Sequence, residues 1–410
     1  MGSGNLTAPV VVIGAGAAGL LATLTAARRG VDVVLVESTD DGGRKILISG
    51  GGRCNILPSV VQPERYVTGS SRNTLRKMLL SWPLTEQRAF FEAELRMPLV
   101  CEEETGKLFP ESNRARDVRD GLLSAVRESG ARVWLGARVT DVAVTDHGWT
   151  VRLADAPEIR AGAVVVATGG LSVPTTGSTG AGLAIAETSG HRVTPPYPAL
   201  TPLLADPHPH AHLAGVSAEV AITSRGLKPV YRGSGSLLVT HGGWSGPVVL
   251  DASHLATTST AEERHEIVVD WLGVDPVELD EALRAAKGTV RSALFATSEE
   301  RLPRRLLDAL VEEAGGDPSV PLAQLPRAQR RALVDTLTAY VLPWTGHAGY
   351  QKAEVTGGGV RLDEVAPRTM ESRRTPGLFF CGEVLDAFGP IGGHNFLWAW
   401  ATGRAAGASV

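Results

Sequence analysis

A glycine-rich turn near the start of the chain lies between two short apolar strands. Its parts, in chain order, are a strand over Pro9–Ile13, the glycines Gly14, Gly16 and Gly19, a run of helix formers over Leu20–Arg29, a second strand over Val31–Val36 and the acid Glu37. The pattern G-x-G-x-x-G, with a strand before it and a helix after it, is typical of a Rossmann-type α/β fold. This order predicts a parallel sheet with a dinucleotide bound at the ends of its strands.

Each glycine of the turn has its own expected task. Gly14 permits the tight turn, Gly16 lets the backbone approach a pyrophosphate, and Gly19 allows the helix to pack closely on the strand. The helix amino terminus then offers the N–H groups of Ala17 and Ala18, together with a positive dipole end, to the phosphates. The turn is therefore expected to bind the pyrophosphate of a dinucleotide.

The acid at the end of the second strand narrows the choice of ligand. Glu37 can accept hydrogen bonds from a ribose diol, and its charge disfavours a 2′-phosphate. FAD and NAD both meet this requirement, so the fingerprint alone leaves the two cofactors open.

A second glycine-rich loop, which is also basic, favours FAD. The segment Gly42–Asn55 reads GGRKILISGGGRCN and follows soon after the second strand. An NAD domain has no need of such a loop, whereas the longer FAD needs close backbone approach along its ribityl chain and ring. Arg44 and Lys45 are candidate partners of a phosphate or a ring carbonyl. The cofactor-binding residues predicted in this loop are Gly43, Arg44, Lys45, Ser49, Gly51, Gly52, Arg53, Cys54 and Asn55.

Five blocks of the sequence resemble one family of bacterial flavoproteins. They are GRKILISGGGRCN (Gly43–Asn55), ATGGLSVPTTGSTGAGLAIAETSGH (Ala167–His191), VTHGGWSGPVVLDAS (Val239–Ser253), VTGGGV (Val355–Val360) and the long block Thr369–Gly407. The chain resembles the HI0933-like family, the BaiN/RdsA type of NAD(P)/FAD-dependent oxidoreductases. Because the blocks run from end to end, the resemblance covers the whole chain.

The resemblance implies an α/β fold with an inserted part. The expected architecture is a Rossmann-type FAD-binding domain (glutathione-reductase-like) with an inserted small β domain that carries a helical insert. The expected boundaries are 1–193 and 343–410 for the two parts of the FAD-binding domain, 194–274 for the β-rich substrate domain and 275–342 for the helical domain. A proline-rich stretch over Thr194–Pro209 fits the first boundary.

Residue patterns give the elements of the inserted part. Short strands are predicted over Val216–Thr223, Ser236–Thr240, Val248–Asp251 and His265–Trp271, and helices over Val277–Ala286, Val290–Thr297, Pro303–Ala314 and Pro326–Tyr340. In the first domain, Arg132–Val144 is predicted as one strand, and Ala163–Gly170 as a buried strand that ends in two glycines.

The remaining cofactor contacts come from the later blocks. In the resemblance, the backbone at Val139 faces the adenine, and Glu383 accepts hydrogen bonds from the ribityl hydroxyls. A helix over Phe396–Gly407 is expected to direct its amino terminus at the flavin pyrimidine, where backbone N–H groups stabilise the charge of the reduced ring. Gly357–Gly359 is a further place where the backbone is expected to meet the cofactor. The cofactor-binding residues predicted outside the first two loops are Val139, Ala167, Thr168, Gly169, Gly382, Glu383, Gly392, Gly393, Asn395 and Phe396.

Two histidines are the candidate catalytic residues. His394 follows the glycine pair Gly392–Gly393 and is expected to tune the flavin or to shuttle a proton. His241, at the end of a strand in VTHGGWSGP, is a candidate proton donor or substrate anchor, with a structural hydrogen bond as the alternative. No metal site is predicted, because His208, His210 and His212 lack further evident ligands.

Charge and cysteine content limit the function further. The formal net charge is −4, which speaks against nucleic acid as a partner, and three cysteines without a C-x-x-C motif exclude a disulfide reductase. The absence of a membrane span and of a targeting segment predicts a cytoplasmic protein. The number of subunits is left open.

The predicted function is FAD-dependent oxidation–reduction of a small organic molecule, by hydride transfer at flavin N5. Reduction of an unsaturated, enone-type substrate is favoured, with NAD(P)H as a transient electron donor. An oxygen-dependent oxidase of a small amine is the first alternative. A flavin-bearing protein that modifies RNA or senses redox state is the alternative from another class.

Overall fold

The structure, a computed structural model, describes residues 6–228, 230–298 and 302–410. The chain forms two compact units, residues 1–197 with 355–410, and residues 198–354. We refer to them as the first and the second unit. Within the described residues, no helix combines the length and the apolar character that crossing a bilayer requires.

The described residues contain both strands and helices in each unit. The strands are β1 (Leu6–Ile13), β2 (Val33–Val36), β3 (Leu57–Pro58), β4 (Leu99–Glu102), β5 (Lys107–Pro110), β6 (Arg132–Trp134), β7 (Val139–Thr145), β8 (Gly148–Leu153), β9 (Ile159–Val166), β10 (Val193–Ala199), β11 (Leu203–Leu204), β12 (Ser217–Arg225), β13 (Arg232–Thr240), β14 (Gly243–Ser245), β15 (Glu266–Asp270), β16 (Tyr340–Val341), β17 (Gly346–His347), β18 (Val355–Val360) and β19 (Leu378–Phe380). The helices are α1 (Ala17–Arg28), α2 (Arg44–Ile48), α3 (Arg72–Leu79), α4 (Leu84–Ala89), α5 (Ala115–Glu128), α6 (Ala181–Thr188), α7 (Pro247–Ala252), α8 (His254–Thr257), α9 (Pro276–Ala285), α10 (Val290–Thr297), α11 (Arg304–Glu313), α12 (Arg327–Thr338) and α13 (His394–Gly407).

A parallel sheet with an antiparallel extension forms the centre of the first unit. Its order is β6-β2-β1-β9-β8-β7, and β19 pairs with the second half of β9. The strands β6, β2, β1, β9 and β19 run parallel, whereas β7 and β8 are antiparallel. Val10, Val11 and Val12 are almost fully buried, as expected for a β-branched strand with neighbours on both edges. The Rossmann-type fold predicted from the fingerprint is confirmed.

Small residues let two helices of the first unit approach closely. A Cβ on Gly403 of α13 would lie 2.4 Å from the carbonyl oxygen of Ala18 in α1. One turn further along, a Cβ on Gly407 would lie 2.2 Å from the carbonyl oxygen of Ala22. The spacing of four residues in both helices places these contacts on one face of each. The two helices therefore share a fixed register.

The second unit is an antiparallel sheet with helices. The sheet order is β16-β15-β12-β13-β14-β11-β17. One buried apolar cluster joins residues of its strands, such as Val220 and Val269, to residues of its helices, such as Leu279 and Leu306. The unit boundary after Tyr197 falls inside the proline-rich stretch. A finer division of this part at residue 274 stays a prediction.

Two of the predicted strands are wrong in detail. The stretch Val248–Asp251 is helical and belongs to α7. Gly246 has a φ of 90°, and Pro247 occupies the first helical position, where its fixed φ favours a helix over a strand. The predicted strand Arg132–Val144 is two strands, β6 and β7, because Gly136 has a φ of 69° and breaks it.

Candidate functional site

The three glycines of the fingerprint differ in what surrounds them. Gly14 has a φ of 103°, and a Cβ on it would lie 2.6 Å from the carbonyl oxygen of Ala167. A Cβ on Gly19 would lie 1.8 Å from the carbonyl oxygen of Gly14. A Cβ on Gly16 would meet no heavy atom of the described residues within 4 Å. Protein packing therefore explains Gly14 and Gly19, whereas Gly16 borders open space that a ligand can fill.

The first turn of α1 offers hydrogen-bond donors beside this space. Gly16 is the N-cap residue, and no side chain of the described residues caps the helix. The first N–H groups of a helix have no acceptor within it, so those of Ala17 and Ala18 are available to an anion. The turn thus has the geometry and the electrostatics of a phosphate site.

The carboxylate of Glu37 is fixed at the end of β2 and reaches the glycine turn. Its Oε2 accepts the Ala15 N–H at 2.7 Å. Its Oε1 accepts the N–H and the hydroxyl of Thr39 at 2.7 and 2.8 Å. The side chain is 8% exposed. A carboxylate held in this way has a defined orientation and can still accept hydrogen bonds from a sugar.

The second glycine loop is built from left-handed backbone. Gly50, Gly51 and Gly52 have φ values of 56°, 67° and 87°, a region that only glycine adopts readily. A Cβ on Gly51 would meet no heavy atom of the described residues within 4 Å. The loop follows the short helix α2, whose N-cap Gly43 is also left-handed. Like Gly16, Gly51 borders open space.

The basic residues of this loop have partners in the protein. Arg44 forms an ion pair with Asp41 at 2.6 Å. Arg53 lies over the ring of Phe109, at 4.0 Å from its centroid, and contacts Glu102 at 3.2 Å. Their predicted role as cofactor contacts stays a prediction.

Cys54 and Asn55 end the loop in buried positions. Burial raises the pKa of the Cys54 thiol to about 12, so the thiol stays protonated at neutral pH. In the amide orientation that satisfies both neighbours, Asn55 accepts the Gly393 N–H at 3.0 Å and donates to the Leu57 carbonyl at 3.1 Å. Asn55 therefore joins the second glycine loop to the start of α13, and Ser49 holds the same loop through a hydrogen bond to the Ile46 carbonyl at 2.8 Å.

Glu383 is the centre of a hydrogen-bonded network. Its Oε2 accepts from the Lys45 ammonium at 2.6 Å. Its Oε1 accepts from the Ser172 hydroxyl at 2.9 Å and from the Thr356 N–H at 3.0 Å. The hydroxyl of Thr356 in turn accepts the N–H groups of residues 171 and 172. The network brings the predicted residues Lys45 and Glu383 together, and it adds Ser172 and Thr356, which the sequence analysis missed.

The loop before α13 is held by the side chain of Asn395. Its Oδ1 accepts the Gly389 N–H at 2.8 Å, and its Nδ2 donates to the Gly389 carbonyl at 3.0 Å. Gly392 and Gly393 have φ values of 105° and 89°. Phe396 stacks on Trp400 at 5.4 Å between ring centroids. The helix begins at His394, two residues earlier than predicted, and its first turn has no side-chain cap among the described residues.

His394 is buried at this helix start. Its ring lies edge-on to Tyr66 at 5.8 Å between centroids, and the Tyr66 hydroxyl donates to the His394 carbonyl at 2.8 Å. Burial, together with the charge of Arg65, lowers the pKa of His394 to about 4, so the imidazole is neutral at neutral pH. Its Nδ1 is buried without a hydrogen-bond partner among the described residues. An unsatisfied buried nitrogen of this kind suits contact with a ligand.

The end of β9 lies directly beside the glycine turn. The Ala167 N–H donates to the Ile13 carbonyl at 2.9 Å. The buried hydroxyl oxygen of Thr168 has no hydrogen-bond partner among the described residues, and a Cβ on Gly182 would lie 2.1 Å from it. Gly169 has a φ of 71°. The three residues lie where the two central strands end, at the edge where ligands bind in this fold.

A cavity of about 420 Å³ lies at the end of β6. Residues 133–138, Leu153, Asp155 and Ala156 line it. Glu37 is close to this wall, because its backbone N–H donates to the Trp134 carbonyl and its carbonyl accepts the Ala137 N–H. Val139, which was predicted to face the adenine, is half-buried and follows the lining residues directly.

The triple glycine of β18 meets protein, which corrects the expectation that it meets the cofactor. A Cβ on Gly357 would lie 2.2 Å from the Tyr197 ring, and one on Gly358 would lie 2.5 Å from the Pro195 carbonyl oxygen. A Cβ on Gly359 would lie 2.6 Å from the Val384 carbonyl oxygen. The strand is glycine-rich because neighbouring protein segments pack against its backbone.

His241 belongs to the second unit. It is exposed and occupies the turn between β13 and β14. All of the predicted cofactor-binding residues belong to the first unit. Among the described residues, no group of three or more His, Cys, Asp and Glu side chains is arranged to hold a metal ion.

The parallel sheet, the glycine turn with its open second glycine and the fixed acid at the end of β2 define a dinucleotide-binding protein of the Rossmann type. The profile of the HI0933-like protein Rossmann domain matches residues 8–409. The chain belongs to the HI0933-like family, and it is a flavin-dependent oxidoreductase.

Relatives with known names match almost the whole chain. The 3-dehydro-bile acid delta(4,6)-reductase of Clostridium scindens is 32% identical over 407 residues, which are 97% of this chain and 98% of the relative. The ribosomal RNA dihydrouridine synthase of Escherichia coli is 34% identical over 400 residues, 96% of this chain and 95% of the relative. A similar fold is found in the solved structure of 3-ketosteroid-delta4-(5alpha)-dehydrogenase from Rhodococcus jostii RHA1 in complex with 4-androstene-3,17-dione. The match covers 98% of this chain and 97% of the dehydrogenase chain. The sequence identity is 16% and the TM-score is 0.52. The last similarity shows the fold alone.

Proposed function

We propose that the first unit binds one FAD along the glycine turn, the second glycine loop, the Glu383 network and the start of α13. The open spaces at Gly16 and Gly51 and the unpaired Thr168 hydroxyl and His394 Nδ1 support this assignment. Gly16, Ala17 and Ala18 would hold the pyrophosphate, and Glu37 the adenosine ribose. The cavity at the end of β6, beside Glu37 and Val139, has room for the adenine.

We infer that the reaction is the reduction of a carbon–carbon double bond conjugated to a carbonyl group. The observation that carries this proposal is the chemistry shared by two differently named relatives. A 3-dehydro-bile acid reduced at delta(4,6) and a uridine converted to dihydrouridine both contain a double bond conjugated to a carbonyl. The bound flavin supplies the hydride in such reactions. NAD(P)H is the proposed donor, and it docks transiently because the sequence holds no second complete dinucleotide fingerprint.

The start of α13 would tune this chemistry. The N–H groups of the uncapped first turn present a positive dipole end, which stabilises negative charge on the reduced ring. His394 is neutral, so we propose that it orients and tunes the ring rather than supplying a proton. His241 stays a candidate for contact with the substrate. A cytoplasmic location stays a prediction as well.

A small lipophilic enone is the first candidate substrate, and uridine in ribosomal RNA is the second. The second candidate rests on the similarity to dihydrouridine synthases from Escherichia coli and Haemophilus influenzae. The net charge of −4 favours the small molecule, because RNA-binding proteins usually carry a basic surface. An amine oxidase and a redox sensor stay alternatives.

Product analysis separates these candidates. The purified protein is incubated with NADH or NADPH and either a 3-oxo steroid with a conjugated double bond or unmodified ribosomal RNA, and products are analysed by mass spectrometry. A gain of two hydrogens by the steroid alone supports the small-molecule reductase, and the same gain by uridine alone supports the RNA candidate. Hydrogen peroxide formation with small amines, and no gain with either acceptor, would contradict the proposal and favour the oxidase.

A further inference from the structure

We propose that Tyr197 is the acid that protonates the α-carbon of the substrate. This inference rests on the proposed function, because reduction of a conjugated double bond needs a proton as well as a hydride. The hydride adds to the β-carbon, and the electron pair of the double bond moves to the carbonyl oxygen as an enolate. The Tyr197 O–H bond then breaks, the new C–H bond forms at the α-carbon, and water returns a proton to the tyrosinate.

Contacts between neighbouring residues connect Tyr197 to the start of α13, which is part of the proposed cofactor site. Its ring lies on the backbone of Gly357, and it contacts Phe388 edge-on at 6.3 Å between ring centroids. Phe388 immediately precedes Gly389, the residue that Asn395 of α13 clamps. The N–H and carbonyl of Phe388 also pair with those of Val67, the neighbour of Tyr66. A continuous set of contacts therefore connects Tyr197 to the helix start that carries His394.

The hydroxyl of Tyr197 differs from the neighbouring polar groups in being free to donate a proton. The Tyr66 hydroxyl donates to the His394 carbonyl. His394 is neutral and a weak acid at neutral pH. The Tyr197 hydroxyl has no hydrogen bond to any of the described residues. The ring nevertheless has a fixed position, since Gly357 and Phe388 hold it on two sides.

Asp386 places a buried negative charge close to this tyrosine. Its carboxylate is 1% exposed and accepts hydrogen bonds from the hydroxyls of Ser70 at 2.8 Å and Thr194 at 3.0 Å. The nearby cation, Arg361, is paired with Asp363. Burial and the charge of Asp386 both raise the pKa of Tyr197. The phenol therefore keeps its proton at neutral pH until a strongly basic carbanion or enolate forms beside it.

The variant Tyr197→Phe tests the proposal because it keeps the ring on Gly357 and removes only the acid. Reduced enzyme is mixed anaerobically with two acceptors, an enone and a nitroalkene, and flavin reoxidation is followed. A nitroalkene gives a stable nitronate after hydride addition and needs no enzymic proton. We expect the variant to turn over the enone at least about 100-fold more slowly than wild type, within the range of general acid catalysis. The nitroalkene rate and the rate of flavin reduction by NAD(P)H should stay within about twofold of wild type, as expected if only proton transfer is lost.

Tyr340→Phe is the matched control, because it also removes the hydroxyl of a buried tyrosine. That hydroxyl donates to Glu313 in the second unit. The control variant should leave the rates with both acceptors unchanged. An undiminished enone rate in Tyr197→Phe would overturn the assignment. Equal loss with both acceptors would also overturn it, since that result indicates a role in binding or folding. If wild-type enzyme reacts with neither acceptor, the proposed function itself fails, and the role of Tyr197 fails with it.

Discussion

At the scale of single residues, two glycines of the same motif occupy their positions for different reasons. Gly19 is required because protein atoms occupy the position of a side chain, whereas Gly16 has no protein neighbour there. The fingerprint predicted a different task for each glycine. The packing role of Gly19 agrees with its surroundings, whereas the pyrophosphate role of Gly16 stays a prediction. The distinction decides which substitutions affect the fold and which affect only the cofactor.

The first prediction concerns Gly16→Val. Gly16 has an extended φ of −78°, and its side-chain position is open, so the apoprotein should fold with an unfolding free energy within about 0.5 kcal/mol of wild type. The valine methyls would occupy the space assigned to the pyrophosphate, and the purified variant should contain no flavin. Flavin absorbance per chain and urea unfolding of both apoproteins measure the two effects.

Gly19→Val is the matched comparison, and it should fail to fold stably because its Cβ would overlap the Gly14 carbonyl. A Gly16→Val protein that retains one flavin per chain would refute the pyrophosphate assignment.

The second prediction concerns the cysteines. Burial raises the pKa of Cys54 and of Cys381 to about 12, and Cys101 is exposed. Because the thiolate is the reactive form, iodoacetamide at neutral pH should modify one thiol in the native protein and all three after denaturation. Cys101→Ser should then show no reactive thiol in the native state. Rapid modification of Cys54 in that variant would contradict the burial that keeps this thiol protonated.

At the scale of elements, the sequence correctly predicted those helices and strands whose determining residues lie close together in the chain. The helix Val290–Thr297 was predicted with its observed bounds, since its apolar period and its Thr289 cap lie within one stretch. Val248–Asp251 was predicted as a strand because two valines favour one, yet the preceding glycine and proline begin a helix. Tertiary context decides such short apolar runs.

The third prediction concerns the contact between α1 and α13. Alanine is the better helix former by about 0.8–1.0 kcal/mol, so an exposed Gly→Ala change in a helix stabilises. Gly403→Ala should instead lower the unfolding free energy by about 1–3 kcal/mol, because its Cβ would lie 2.4 Å from the Ala18 carbonyl oxygen. Gly121→Ala in α5 is the control, since it would meet only the flexible end of Met97 at 3.3 Å. Equal stability of the two variants in urea would count against the packing account.

The fourth prediction concerns an ionic cluster that joins three segments of the first unit. Glu364 follows β18 and accepts from the Arg192 Nε at 2.5 Å and the Arg374 Nη2 at 2.6 Å. Burial alone would raise the pKa of Glu364, but the hydrogen bonds from the two arginines outweigh it and lower the pKa from 4.5 to about 2.

The folded-state pKa lies below the unfolded value, so the ionised carboxylate stabilises the fold above about pH 4.5, and this contribution is lost as the pH falls towards about 2. Glu364→Gln should cost about 2 kcal/mol at pH 7, less than the full shift implies because solvent screens the exposed guanidinium groups. Urea unfolding between pH 7 and pH 3 should show the difference from wild type shrinking in the acid range. A constant difference over that range would contradict the account.

At the scale of the whole molecule, the sequence motifs and the resemblance predicted the Rossmann-type unit, which is confirmed, and a set of cofactor-binding residues, which stays a prediction. They did not predict Ser172 and Thr356 as partners of Glu383, nor Asp386 and Tyr197 as residues of the proposed site. These residues carry no motif of their own, and they come together only when β10, β18 and the segment before α13 pack against one another. The net charge of −4 favours a small enone over RNA, but one net number does not describe the charge of the surface around the site.

The most direct test is one anaerobic spectral cycle of the purified, yellow enzyme. NADPH or NADH should bleach the oxidised-flavin band, and addition of a conjugated carbonyl compound should restore it in stoichiometric amount with formation of the saturated product. An amine substrate should produce no bleaching. A flavin that NAD(P)H cannot reduce, or a reduced flavin that only oxygen reoxidises, would contradict the assignment of this chain as a reductase of conjugated double bonds.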